Sequence, residues 1–234
     1  MRRRDVRRQL DFLTIVTFGR SGSTALQAVL NAHPNTLIRG ENYLAARGLQ
    51  GYVQALAAAA DRHDSGRPDH PWFGTARLDP GAVLESARRT FIDDVLRPKP
   101  DTRWSGYKEV RYETGYFATA DELVDHLLFV RTLLPGVRFL INVRGARTSL
   151  TSGWWPHNPH ATEVLTATIQ NLRDAGAHLA SILGPGTVGL VEYEEWSKDP
   201  GVLCDALGAI GFPVDPRLVT EVLAIRLDHG RSSD

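Results

Sequence analysis

Several stretches of this 234-residue sequence carry residue types that could grip an anion or move a proton. The first is Gly19-Arg20-Ser21-Gly22-Ser23-Thr24, which sets two glycines, three hydroxyls and an arginine just before the helical pattern Ala25, Leu26, Val29, Leu30. A helix that starts there points its free N–H groups and the positive end of its dipole at whatever fills the loop, and an oxyanion is the natural occupant. An ordinary strand-to-helix turn capped by Ser23 or Thr24 is the alternative, but such a turn does not need this run of residues. The Walker pattern GxxxxGK[ST] is absent, because no lysine follows Gly22 and the loop is shorter, so a standard ATP or GTP loop fits poorly.

A second stretch, Arg144-Gly145-Ala146-Arg147, follows the apolar run RFLINV at 138–143. A nucleotide kinase or NTPase usually ends such a strand in aspartate, which holds the magnesium that bridges phosphates. Arginine at that position binds phosphate directly through its planar fork, which describes a site without a metal. A surface salt bridge is the weaker reading of Arg144. Lysine occurs only at Lys99, Lys108 and Lys198, and Lys108 stands near the end of the buried-looking run WSGYKE. Glu41 follows a short strand pattern at 36–39. Ligands bind at strand ends in open parallel sheets, which sets Glu41 near the same crevice; taken alone, it reads as an acid facing the dipole of the next helix.

These residues must be positioned by strands and helices that alternate along the chain. Strand patterns lie at 12–18, 36–39, 104–109, 138–143 and 187–191. Helical patterns lie between them, at 43–62, 82–96, 118–134 and 161–183, with further helix from 192 and a closing segment at 213–227. Such alternation predicts an α/β fold with a parallel sheet. Residues 63–81, with three prolines and with Trp72 and Phe73, read as a long loop, either a lid over an acceptor or a surface excursion. Neither His63 nor His70 has a partner at metal-binding spacing. The adjacent Trp154 and Trp155 read either as a core plug or as an apolar wall.

Composition narrows the remaining classes. With 42% hydrophobic and 23% charged residues, the chain suits one well-buried domain over 1–234, with a basic tail at 1–10 and a frayed end at 228–234. A formal net charge of zero gives no global attraction to nucleic acid or acidic membranes. The single cysteine, Cys204, excludes an internal disulfide and a cysteine-built metal site, in keeping with a reducing compartment. The basic start is not followed by a cleavable apolar segment, and no run approaches membrane-spanning length, so a soluble cytoplasmic protein is expected.

With these stretches in order, the chain resembles sulfotransferases that use 3′-phosphoadenosine 5′-phosphosulfate (PAPS), in particular the tyrosylprotein-like and bacterial branch. FGRSGSTALQAVLNAHP resembles the 5′-phosphosulfate loop and its helix, RGEN the segment that bears the catalytic base, NVRGARTSLTS the 3′-phosphate segment, and VEYEEWSKDP the late segment whose tyrosine lies near adenine. The resemblance implies a P-loop-like three-layer α/β/α fold around a central parallel sheet. It further implies in-line, metal-independent transfer of a sulfuryl group from PAPS to an acceptor hydroxyl, leaving the bisphosphate PAP. Carried over residue by residue, Glu41 is the general base, Lys108 the cation at the bridging oxygen, and Glu109 and Arg111 their supports. Arg20, Ser21, Gly22, Ser23 and Thr24 hold the 5′-phosphosulfate, Arg144 and Ser152 the 3′-phosphate, and Tyr193 the adenine.

Arginine at position 20, where cytosolic relatives carry lysine, is what favours that branch. The family's late glycine- and lysine-rich segment is reduced here to IRLDHGR, with Arg226 and Arg231, which leaves the cover of the 3′-phosphate unassigned. The acceptor, a small molecule, glycan or natural product, and the oligomeric state are not readable. The competing classes are a P-loop kinase-like phosphotransferase and a nucleotide-binding protein without turnover.

Overall fold

The computed structural model describes residues 10–62 and 66–229, without the side chains of 226–229. Most of the tail read at 1–10, together with His63, the Arg226 side chain, Arg231 and most of the tail read at 228–234, lies outside the described residues.

Five strands, β1 (Asp11–Val16), β2 (Thr36–Arg39), β3 (Trp104–Glu109), β4 (Arg138–Val143) and β5 (Val188–Glu192), form one sheet in the order β2-β3-β1-β4-β5. Every pairing is parallel. The inner strands β1 and β4 are largely apolar because both faces of a parallel sheet are covered by helices, while β3, buried throughout, carries Ser105, Lys108 and Glu109. Side chains alternate between those faces. Phe12 and Val16 of β1, with Phe139, Ile141 and Val143 of β4, enter one core. That core is covered by α2 (Ala45–Ala60), α3 (Pro80–Thr90), α4 (Ala120–Leu133) and α6 (Ala161–Leu183). Leu13, Ile15 and Leu140 enter the other, against α1 (Ser23–Ala32), α8 (Pro200–Ala209) and α9 (Pro216–His229). The result is the expected three-layer α/β/α arrangement.

Register decides what stands at the carboxyl edge. Val16 pairs with Glu109 on one side and Ile141 on the other, so the loops after β1, β3 and β4 leave the sheet at about the same level. Val143 pairs with Glu192, which places Arg144 and Tyr193 side by side just beyond β4 and β5. β1 is the switch point, since the chain next builds β2 and β3 on one side of it and β4 and β5 on the other. Crevices at such points are where open α/β sheets take ligands.

Several element boundaries differ from the sequence reading. β1 ends at Val16, two residues short of the expected end, because Phe18 bridges to Arg111 and Thr17 O accepts from the Tyr112 N–H. The helix read at 82–96 starts earlier, where Asp79 caps the N–H groups of Gly81 and Ala82, and its end opens into a π-helical turn over Phe91–Leu96. The helix read from 192 is a single turn, α7 (Tyr193–Trp196), which Pro200 separates from α8.

Candidate active site

The loop after β1 leads into a helix with a bare amino end. Gly22 occupies the N-cap position at φ 83°, no side chain caps the helix, and its first turn holds no acid. The free N–H groups and the dipole of α1 are therefore open to an anion. Gly22 is required twice over. Its backbone is left-handed, and a Cβ there would lie 2.2 Å from the Tyr193 ring. Arg20 is left-handed as well, at φ 68°, which costs about 1–2 kcal/mol in a residue with a side chain. Two contacts hold it: Arg20 Nε donates to Ser152 Oγ at 3.0 Å, and its carbonyl accepts from Arg144 Nη1 at 3.0 Å.

Beneath this loop lies a buried network of neutral groups. The Thr17 hydroxyl donates to the Asn142 carbonyl at 2.6 Å and meets the Ser21 hydroxyl at 2.7 Å. Asn142 Nδ2 donates to the Ser21 carbonyl at 3.0 Å, and Asn142 Oδ1 accepts from Trp196 Nε1 at 3.0 Å. Thr17, Ser21, Asn142 and Trp196 are all fully buried. Asn142 thus ties β4 and α7 to the loop. Sequence reasoning missed it, although an amide inside RFLINV, one residue from the strand end, was the available signal, since buried polar groups are there to be bonded. Ser21 departs from the expected role: its hydroxyl faces this network rather than the cavity.

The second half of the site surrounds Glu41. Lys108 Nζ lies 3.0 Å from Glu41 Oε1, and Arg111 Nη1 lies 3.3 Å from Glu41 Oε2. The Lys108 side chain is 8% exposed and that of Glu41 38%, so the cation sits under the carboxylate and the carboxylate faces the opening. Arg111 also reaches Glu109 Oε1 at 2.9 Å, and its guanidinium lies 3.8 Å from the centre of the Tyr43 ring. Burial opposes the charge on Arg111, but the Glu109 carboxylate outweighs it and holds the guanidinium above its ordinary pKa.

Both halves open into one cavity of about 590 Å³. Its wall includes Arg20, Gly22, Ser23, Thr24, Glu41, Lys108, Arg144, Ser152 and Tyr193. Every catalytic or donor-binding residue read from the sequence except Ser21 lies on it, while the two supports, Glu109 and Arg111, stand behind it. Arg144 stacks over Tyr193 at 4.5 Å, and its buried Nε has no hydrogen-bond partner in the protein. An orphaned donor on an arginine beside a bare helix terminus suits a polyanion. The wall also takes in Trp154, one of the two tryptophans read as a core plug or an apolar wall, and Ser197 and Lys198, which sequence reasoning had not placed there.

The tryptophan pair divides between its two readings. Trp155 is 1% exposed and donates from Nε1 to the Gly19 carbonyl at 2.9 Å. Trp154 is 52% exposed, lines the cavity and packs on Gly19, where a Cβ would come within 2.3 Å of its ring. Trp72 and Phe73 line no part of this cavity. Trp72 packs under Arg62 at 5.2 Å, at the far end of α2, whose sixteen residues span about 24 Å. In this structure the described part of the loop that carries them lies away from the cavity. Among the described residues no group of His, Cys, Asp and Glu is arranged to hold a metal ion, and no helix is long and apolar enough to cross a membrane.

No protein-family model matches the chain, and no curated protein matches its sequence. Solved structures do match its fold. A sulfotransferase domain from the Synechococcus olefin synthase is 17% identical, with 91% of this chain and 78% of that one covered at a TM-score of 0.55. A sulfotransferase domain from the curacin biosynthetic pathway is 16% identical, covering 90% and 77% at 0.52. A sulfotransferase from Mycobacterium avium is 12% identical, covering 97% and 70% at 0.52. The chain therefore has the fold of the sulfotransferases. At such identities the likeness speaks for the fold, and function has to be argued from the site.

Proposed function

We propose that this protein is a sulfotransferase that moves a sulfuryl group from PAPS to the hydroxyl of a small-molecule, glycan or natural-product acceptor. The observation that carries the reading is the convergence of separated segments on one cavity: a bare helix terminus with Arg20, the Arg144–Ser152 pair, Tyr193, and the Glu41–Lys108 pair. A phosphate-binding loop alone would fit many nucleotide proteins. A carboxylate and a lysine in contact at its mouth supply the acid–base and electrostatic groups that a transfer needs.

In this reading PAPS supplies the sulfuryl group together with two anionic ends. The α1 terminus, Arg20, Ser23 and Thr24 bind the 5′ end. Arg144 and Ser152 bind the 3′-phosphate, and Tyr193 flanks the adenine. Glu41 accepts the proton of the acceptor hydroxyl while its oxygen bonds to sulfur, and the bond from sulfur to the phosphate oxygen breaks as PAP leaves. Lys108 neutralises the charge that gathers on that oxygen. Its ammonium carries three N–H donors, so Lys108 can hold Glu41 with one and meet the leaving oxygen with another. Arginine, lysine and backbone N–H groups carry the charge, and the residues call for no metal.

Thermal stability with PAP tests the reading. The wild-type chain gains stability in millimolar PAP, by about 2.7 kcal/mol when ligand stands at a hundred times Kd. Arg144→Ala abolishes most of that gain. Absence of any shift in the wild type overturns the proposal, and a magnesium-dependent shift with ATP but none with PAP points to a kinase-like phosphotransferase.

A further inference from the structure

Glu109 touches neither the cavity nor, in the mechanism above, any reacting atom, yet it is a fully buried carboxylate at the centre of the acidic half of the site. Its Oε2 accepts from the backbone N–H groups of Asn42 at 3.2 Å and Leu44 at 3.0 Å. Its Oε1 accepts from the N–H groups of Val110 at 3.0 Å and Arg111 at 3.2 Å, and from Arg111 Nη1 at 2.9 Å. Everything pointed at this carboxylate is a donor, and nothing accepts from it. An ionised carboxylate is the side chain that can satisfy all of them at once.

The two backbone bonds fall on an unusual turn. Tyr43 and Leu44 are both left-handed, at φ 60° and 57°, a conformation that residues with side chains avoid unless the surroundings impose it. Glu109 is what imposes it, by drawing the N–H groups on either side of Tyr43 onto one oxygen. Glu41 precedes this turn directly, so the turn sets where its carboxylate points. The same Glu109 holds the Arg111 guanidinium that contacts Glu41 from the side opposite Lys108.

We propose that Glu109 is a positioning residue: through the Asn42–Leu44 turn and through Arg111 it holds Glu41 in register with the donor loop, and keeps it there as Lys108 engages the leaving oxygen. The idea rests on the reading of Glu41 as the base, but the placement of the turn is separable from it. Lys108 shares its ammonium between Glu41 and the leaving oxygen in that reading, so its hold on Glu41 changes during transfer. Arg111 is fixed independently of the donor, because Glu109 and the Tyr43 ring hold it from behind.

The experiment compares the full chain with Glu109→Gln, a change that keeps shape but turns one oxygen into a donor facing donors. Amide exchange at Asn42 and Leu44, followed by NMR, is expected to rise about tenfold or more, with α1 and β4 unaltered. Sulfuryl loss from PAPS, measured with a panel of phenols and sugars, is expected to fall in kcat by about tenfold to a hundredfold, the effect of a small misplacement of a reacting group. The PAP Kd and the KM for PAPS stay within about twofold, and Glu109→Asp, again an acceptor only, recovers part of kcat. Unchanged exchange at Asn42 and Leu44 overturns the proposal. So does an unchanged kcat, and so does loss of PAP binding in parallel with kcat, which marks a merely structural residue. If Glu109→Gln does not fold, Arg111→Gln takes its place, with the same split between kcat and PAP affinity expected and an unchanged kcat overturning the idea. A wild type that binds no PAP refutes the sulfotransferase reading, and the exchange measurement still decides the role of Glu109 in the turn.

Discussion

Two loops leave the same edge of the sheet and are held in opposite ways. The loop after β1 rests on neutral groups: Thr17, Ser21, Asn142 and Trp196 bond to one another and leave the helix N–H groups free. The turn after β2 rests on charges, with Lys108 and Arg111 against Glu41, and Glu109 behind Arg111. The difference follows from what each presents. An anion-binding loop backed by a carboxylate would repel its ligand. A loop that offers a carboxylate needs cations beside it, and cations buried there need a second carboxylate to offset them.

The contrast predicts that damage to the charged side costs chemistry and damage to the neutral side costs stability and binding. Glu41→Gln should lower turnover by about two to four orders of magnitude, the span for loss of a general base, while PAP affinity measured by calorimetry stays within about twofold. Retained turnover would move the base elsewhere and dissolve the comparison. Asn142→Leu should do the reverse. It strands buried partners on Thr17, Ser21 and Trp196 and should cost about 2–3 kcal/mol in denaturant unfolding, weakening PAP binding along with stability. If kcat falls instead and stability holds, the network under the loop is not what supports it.

Acid should separate the two sides as well. His126 is 1% exposed, bonds Gln50 at 2.8 Å through Nδ1, and stacks on Tyr112 and Phe117 behind the charged turn. Burial, with Arg47 nearby, holds it at about 3, below its ordinary 6.5. The unfolded chain therefore takes up the proton first, so the stability this histidine contributes is complete above pH 6.5 and is lost as pH falls toward 3. By pH 5 the loss should be about 2 kcal/mol, read as a fall in the urea midpoint that His126→Leu removes. Amides from Asn42 to Leu44 should open before those of the β1 loop; the reverse order would sever His126 from the charged side. The smallest effect is expected at Ser152, which steadies Arg20 through one exposed bond and, in the proposed reading, adds one neutral contact to a 3′-phosphate that Arg144 also binds. Ser152→Ala should weaken PAP binding by about fivefold, roughly 1 kcal/mol, and a change near a hundredfold would make it a principal phosphate ligand.

The anion loop was legible because its signal is local: two glycines, hydroxyls and an arginine between a strand and a helix pattern identify a bare helix end without any distant partner. The strand order was implied by alternation, and the arginine at the end of RFLINV announced its chemistry by position. The glutamate at 41 was ambiguous for the opposite reason. Its neighbours Lys108 and Arg111 lie 67 and 70 residues further on, and nothing near Gly40-Glu41-Asn42 distinguishes a helix-facing acid from a base. Ser21 looked like one more hydroxyl of the loop until Thr17 claimed it, and the tryptophan pair could be divided only once Gly19 was seen to accept from one ring and pack on the other.

The sequence by itself determined the sheet, the loop and the kinds of group available, since propensity, periodicity and turn chemistry act over a few residues. Tertiary structure alone decided which carboxylate faces the cavity and which lies beneath it. Glu41 and Glu109 are the same residue type at neighbouring strand ends. Register does not separate them, since Arg39 pairs with Tyr107 two residues before each: β2 has ended before Glu41, whose carboxylate faces the cavity, while Glu109 is still paired in β3 and is drawn inward by N–H groups that only the folded backbone brings together.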